Sequence, residues 1–223
     1  MTFPTLARTP ATLRRLAALA AGVALTAGCA AGGVSVDKAN DELRSTSFHG
    51  RGSTTALGGG SQEIWSDPDQ GLRIKASGAS ATGEMYCKDG KTYTSAPMFA
   101  DALKQRGQAI DLPERLADVF VTTETGQGCD VYFVISDSAE HAPESDKTFD
   151  GRRTTAFSVS SGAATDTYYL ESESSRLVRL EAERDGRTST TRYDSFGEKF
   201  TITMPDEDKT MPMDDFRREV MGG

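Results

Sequence analysis

The side chains able to do chemistry are few and scattered. Three cysteines occur, Cys29, Cys87 and Cys129, with two histidines, His49 and His141. Zinc needs four ligands at characteristic spacing, and neither histidine has such company. Ser136, Asp137 and His141 lie in one short stretch. A catalytic triad is defined by geometry and not by nearness in sequence, so this stretch reads as a polar loop. Gly58-Gly59-Gly60 lacks the lysine of a phosphate loop and reads as a turn. The acidic runs Asp206-Glu207-Asp208 and Asp214-Asp215 read as solvated surface, with weak calcium binding as the alternative. The sequence therefore predicts no catalytic residue, no cofactor and no metal site, and points away from an enzyme.

The N-terminus carries a different chemistry. Residues 1–28 contain Arg8, Arg14 and Arg15 and no acidic residue, followed by an apolar run from Leu16 to Leu25. Thr26-Ala27-Gly28-Cys29 closes the segment. A positive region, a short apolar region and small residues at the end form a secretory signal. The apolar run is well short of the ~20 residues of a membrane-spanning helix. The alternative, a buried N-terminal helix, fits poorly with a segment that is apolar on all sides and ends in glycine and cysteine. The end of the segment resembles a bacterial lipobox, which Ala27, Gly28 and Cys29 match and Thr26 does not. That resemblance implies a diacylglycerol thioether on Cys29 and cleavage before it. Two acyl chains anchor stably where one is marginal. The expectation is a signal peptide over 1–28, a lipidated tether over 29–36, and localisation at the extracytoplasmic face of the cell membrane.

Cleavage changes the balance of charge and of cysteines. Loss of three arginines from 25 basic residues, against 33 acidic ones, leaves a net charge of −11. Such a chain offers no cationic surface to nucleic acid and no electrostatic help towards anionic lipid. With Cys29 committed to lipid, Cys87 and Cys129 remain. An oxidising compartment makes a disulfide between them the expectation, two buried free thiols being the alternative.

The elements that hold these residues follow from periodicity. Asp37 to Arg44 reads as a short helix capped by Asp37, and Ser47 to Ala56 as a strand. In Gly71 to Ser77, Leu72, Ile74 and Ala76 alternate with Arg73, Lys75 and Ser77, the pattern of a sheet with one wet face. Met85 and Cys87 share a face in the next strand, and Asp89-Gly90 signals a hairpin to Lys91–Thr94. Pro97 opens a helix with Phe99, Ala102 and Leu103 at helical spacing. A second helix is expected near Pro113, with Leu112, Leu116 and Val119 as its stripe. Val131, Phe133 and Ile135 fit strand spacing or a helical turn. From residue 150 the chain is strand: Phe157 and Val159, then Val178 and Leu180, then Phe200, Ile202 and Met204 are expected to face inward. Residues 211–223 read as a tail, with a short helix around Phe216 and Val220. Helix, hairpins, helical insert and more hairpins make an α+β layout, in which helices cover the sheet's apolar face.

This order, with Thr191-Arg192-Tyr193-Asp194-Ser195-Phe196-Gly197-Glu198 running into Phe200-Thr201-Ile202-Thr203-Met204-Pro205, resembles the LolA/LolB-like superfamily, and within it the actinobacterial LppX/LprG-type lipoproteins. The resemblance covers most of residues 37–210. It implies a strongly curved antiparallel sheet, a half-barrel, with helices covering the concave face, and a cavity for lipid or another apolar small molecule in a carrier or chaperone. The lining set is then Leu72, Ile74, Met85, Phe99, Leu103, Leu116, Val119, Phe157, Val178, Leu180, Phe200 and Ile202. A monomer is expected. The rival reading is an envelope interaction or regulatory protein whose core is filled.

Overall fold

The computed structural model describes residues 33–221, except 56, 58, 79 and 80; the signal segment, Cys29 and most of the tether lie outside them. Helix α1 spans Val36–Ser45. Five strands follow, β1 (Phe48–Thr54), β2 (Gly60–Asp67), β3 (Gly71–Gly78), β4 (Thr82–Lys88) and β5 (Lys91–Ser95), then helix α2 (Ala96–Gln105). After β6 (Phe120–Glu124) come two-residue strands β7 (Glu140–His141) and β8 (Thr148–Phe149). The long hairpins β9 (Arg152–Ser161), β10 (Ala164–Glu171), β11 (Leu177–Arg184) and β12 (Arg187–Asp194) complete the sheet, before β13 (Thr210–Pro212) and helix α3 (Met213–Met221).

The strands form one open sheet in the order β13-β6-β5-β4-β3-β2-β1-β12-β11-β10-β9-β7, with β8 pairing β9 off that path. Every pairing is antiparallel except β13 with β6. The protein is thus α+β, a large curved antiparallel sheet with three helices among the described residues. β1 joins two arms, β2–β6 and β9–β12. A Cβ on Gly52 would stand 1.7 Å from the Thr190 carbonyl oxygen of β12, so only glycine permits this approach. A glycine inside a strand where another backbone comes close is the usual device for bending a sheet sharply.

Helix α1 lies on the concave face. Its Ala39 and Leu43 are buried with Phe48, Ile64, Leu72, Cys87, Leu170, Leu177 and Tyr193. Ser35, not Asp37, is its N-cap, accepting from Lys38 N at 3.4 Å. Helix α2 sits at the far end of β4. Gly83 has no side chain there because a Cβ would stand 2.5 Å from that of Met98. Helix α3 and β13 belong to the body of the domain: Phe216 is fully buried with Ala96, Leu116 and Val121. The segment set apart as a tail by sequence therefore completes the sheet edge.

Two expectations fail for reasons of connectivity, and one open alternative is decided by it. Residues 200–204 form no strand. β12 is already flanked by β1 and β11, so the chain leaving it has no free edge nearby and must travel to β6 to pair. Val131, Phe133 and Ile135 form no strand either, since both sides of β6 are taken by β5 and β13; Cys129–Tyr132 is one 3-10 turn. The helix expected near Pro113 shrinks to the 3-10 turn Glu114–Leu116, because the chain must straighten into β6 at Phe120. Strand β2, with Trp65, has no counterpart among the sequence-derived elements.

Candidate concave-face binding site

Register fixes which residues share the concave face. The pairs Leu72↔Cys87 and Ile74↔Met85 stand side by side on β3 and β4. Leu180 faces Tyr168 on β10, and Tyr168 faces Phe157 on β9. Helix α1 covers the end of this surface nearest the β2–β3 and β10–β11 turns. Farther along, Ile74, Met85, Phe157, Val159 and Leu180 pack on the core yet stay only partly buried. They leave an apolar strip on both arms of the bend.

A strap closes the covered end. Residues 125–139 cross the concave face from β6 to β7 on β9. Cys129 is bonded to Cys87 of β4, with S–S 2.04 Å. Phe133 meets Phe48 of β1 edge-on at 5.2 Å between ring centres. Buried Asn40 of α1 donates to the Ile135 carbonyl at 2.9 Å and accepts from Ile135 N at 2.8 Å. A side-chain amide has one donor end and one acceptor end, so a single asparagine mimics a ladder rung for a segment that has no strand beside it.

Polar groups bound the strip at its other end. Arg184 Nη2 donates to the Asp166 carboxylate, 2.7 and 2.8 Å from its two oxygens, a charge-assisted pair. Burial, reinforced by the Asp166 charge, pushes the neighbouring Tyr168 phenol up to about 12. The Tyr193 phenol is also raised, chiefly by complete burial. Both tyrosines thus stay neutral and serve as apolar surface across the physiological range.

On the opposite face, Ala156, Tyr169 and Val178 are buried together under Ala142 and Phe149. His49 stacks on Trp65 at 5.3 Å, and the Arg73 guanidinium lies 5.1 Å from the Trp65 ring centre. Burial opposes ionisation of Glu84, yet hydrogen bonds from Tyr86 and Arg73 outweigh it and hold the carboxyl below its usual range. A second strap, residues 195–209, runs over this face. Phe200 approaches His49. The Gln70 side chain donates to the Phe200 carbonyl and accepts from Ile202 N at 3.0 Å.

The expected lining set divides accordingly. Leu72, Ile74, Met85, Phe157 and Leu180 share the concave-face cluster. Phe99, Leu116 and Val119 instead pack with Phe216 under α3, and Leu103 joins no cluster. Val178 lies on the other face with Ala156 and Tyr169, because a bulge at Tyr169/Leu170 shifts the register of β11. Phe200 is likewise on the convex side, and Ile202 is buried in the strap. The expected set thus falls into separate clusters among the described residues. A cavity of about 560 Å³ opens at the hairpin tips, among Arg44, Asp67, Gly71, Leu72, Lys88, Cys129 and Phe133. Of the expected lining set it takes Leu72 alone.

Sequence pattern leaves the strap open between strand spacing and a helical turn; the pair Cys87 and Cys129 is the signal that ties it to β4. Ser136 bonds Ser138, while His141 lies 3.7 Å from Asp146 and against Phe157. Among the described residues no group of three or more His, Cys, Asp or Glu could hold a metal ion. No helix among them is long and apolar enough to cross a membrane.

No protein-family profile and no curated protein matches the sequence. Similar solved structures include the lipoprotein LppX of Mycobacterium tuberculosis, 12% identical over 75% of this chain and 96% of that one, with a TM-score of 0.44. LprF from Mycobacterium bovis is 10% identical over 76% and 94% of the two chains, with a TM-score of 0.41. The MucA/MucB complex of Pseudomonas aeruginosa is 15% identical over 78% of this chain and 58% of that one, at 0.39. All three TM-scores lie below 0.5, and the functional reading rests on this chain's own geometry.

Proposed function

We propose that this chain is an exported lipoprotein, lipidated on Cys29 and held at the outer face of the cell membrane, whose concave strip binds a lipid or other apolar ligand. It acts as a monomeric carrier or chaperone and not as an enzyme. One observation carries the binding reading: Ile74, Met85, Phe157, Val159 and Leu180 face the concave side and remain only partly covered. A solvated apolar strip gains free energy from any apolar cover. At ~25 cal/mol per Å², an acyl chain burying roughly 200 Å² gains about 5 kcal/mol. The ligand lies in an open trough and not in a closed tunnel, so exchange needs no large rearrangement.

The test uses the Cys29→Ala chain, which should be recovered from the medium or as an unprocessed precursor. The recovered protein should bind a fluorescent fatty acid saturably. Leu180→Glu, at a partly buried position, should weaken that binding at least about tenfold, the equivalent of about 1.4 kcal/mol. Membrane-bound, normally processed Cys29→Ala protein would refute the anchor. Absent probe binding in a folded chain would refute the strip.

A second reading has its own observation. Val131 and Tyr132 on the concave strap are each 40% exposed, large apolar residues side by side. A protein partner that covers them would make this an envelope interaction protein. In that case Val131→Asp would abolish the partner complex, and Leu180→Glu would leave it intact.

A further inference from the structure

We propose that the end of the domain carrying the β10–β11 turn is the surface that faces the lipid bilayer. The proposal rests on lipidation of Cys29, and goes beyond it by orienting the domain.

The chain enters the fold at that turn. Ser35 N donates to the Ser175 hydroxyl at 3.2 Å, and Ser175 is itself buried. Arg176 of the same turn donates from Nε to Glu42 of α1 at 2.8 Å. Val34 and Val36 pack on the concave-face core. The entry point is therefore fixed on both sides of Ser35.

Chain length then decides the orientation. At most ~3.6 Å of reach per residue, the five steps from Cys29 to Val34 span no more than about 18 Å. β10 and β11 have eight residues each, about 26 Å of strand at ~3.3 Å per residue. The turns at the other end, around Gly162 and Gly186, thus lie farther from Ser175 than the tether reaches. Near the turn, Arg176 pairs with Glu42, and Arg152 lies 3.9 Å from Glu171, so these two arginines are already partnered by carboxylates.

The orientation has a consequence for the trough. Phe157 and Leu180 flank Tyr168, three residues before Glu171. The apolar strip on this arm therefore begins about 10 Å from the membrane-facing turn. Helix α1 and the 125–139 strap stand between that turn and the strip, so an acyl chain leaving the bilayer passes round them to reach it.

The experiment uses the full lipidated chain from its host, placed in phosphatidylethanolamine–phosphatidylglycerol vesicles that contain a headgroup-nitroxide lipid. A fluorophore is attached at Glu173→Cys, in the turn, or at Arg187→Cys, at the opposite end; both positions are exposed. The Glu173 label should be quenched several-fold more strongly. Arg153→Cys and Ser160→Cys, at the two ends of β9, repeat the comparison should either first variant misfold. Equal or reversed quenching, in a sample whose mass shows acylated Cys29, would overturn the orientation while leaving the anchor standing. A mass showing unmodified Cys29 would overturn the anchor and this orientation with it.

Discussion

Two straps cross the two faces of one sheet, and they are held in opposite ways. The concave strap, residues 125–139, is fixed by a disulfide to β4, by one hydrogen bond donated and one accepted by the Asn40 side chain, and by Phe133 against Phe48. The convex strap, residues 195–209, is held by the Gln70 side chain, by Gly197 N donating to the Ser47 carbonyl at 2.9 Å, and by Phe200 near His49. Each leaves a strand already flanked on both sides, β6 or β12, and ends at an edge strand, β7 or β13. The difference lies in what is beneath. The concave strap roofs the apolar core beside the proposed trough, where an opened strap would flood buried Leu72 and Phe48. The convex strap covers a polar stack of His49, Trp65, Arg73 and Tyr86, which tolerates water. The molecule places its strongest restraints where exposure costs most.

The largest effect should come from removing the covalent hold. Cys87 and Cys129 are 42 residues apart in sequence. Chain-entropy estimates for such a loop give about 4 kcal/mol, which for a domain of this size lowers Tm by roughly 10 °C. Differential scanning calorimetry of the Cys87→Ala/Cys129→Ala protein without reductant should read that drop. A change below about 2 °C would equate the two straps and break the comparison.

Next comes Asn40→Ala. It strands a buried N–H and a buried C=O of Ile135, each worth about 1–3 kcal/mol when unpaired. Urea unfolding should show a loss of about 3 kcal/mol with m unchanged. Gln70→Ala tests the other strap. Its bonds are only partly buried, so the loss should be near 1 kcal/mol, with faster amide exchange confined to Ile202 and its neighbours. A larger loss than Asn40→Ala would reverse the ranking.

The smallest effect is electrostatic. Glu84 is held below the usual carboxylate range by Tyr86 and Arg73 against the pull of burial. A depressed folded value adds stability that is fully present above the ordinary glutamate value of about 4.3 and is lost as pH falls through the folded value. Glu84→Gln should therefore flatten the stability–pH curve only below about pH 4, a slope readable by thermal melts across pH 3–6.

Much of the fold was legible in the sequence where a strand has one wet face. Leu72-Ile74-Ala76 against Arg73-Lys75-Ser77 reports its face directly, as do the hairpins at Asp89-Gly90 and Asp185-Gly186. Legibility ended where pattern and connectivity disagree. Phe200-Ile202-Met204 alternates as well as any strand, but alternation does not say whether an edge is free, and β12 already has both neighbours. Val178 and Leu180 are two apart and should share a face; one bulge separates them. The helix from Pro97 is present, yet its Phe99 faces Phe216, a partner 117 positions later that periodicity cannot nominate. The shared face of Leu72, Ile74, Met85, Phe157 and Leu180 was legible; the face of Val178 and the helical cover were not.

The central claim, an apolar ligand on the concave strip, is tested most directly by native mass spectrometry of the protein purified gently from its host. The account predicts a population heavier than the processed chain by the mass of an amphiphile bearing an acyl chain, absent from folded Leu180→Glu protein. A wild-type chain found only bare, or a ligand retained unchanged by Leu180→Glu, would contradict it.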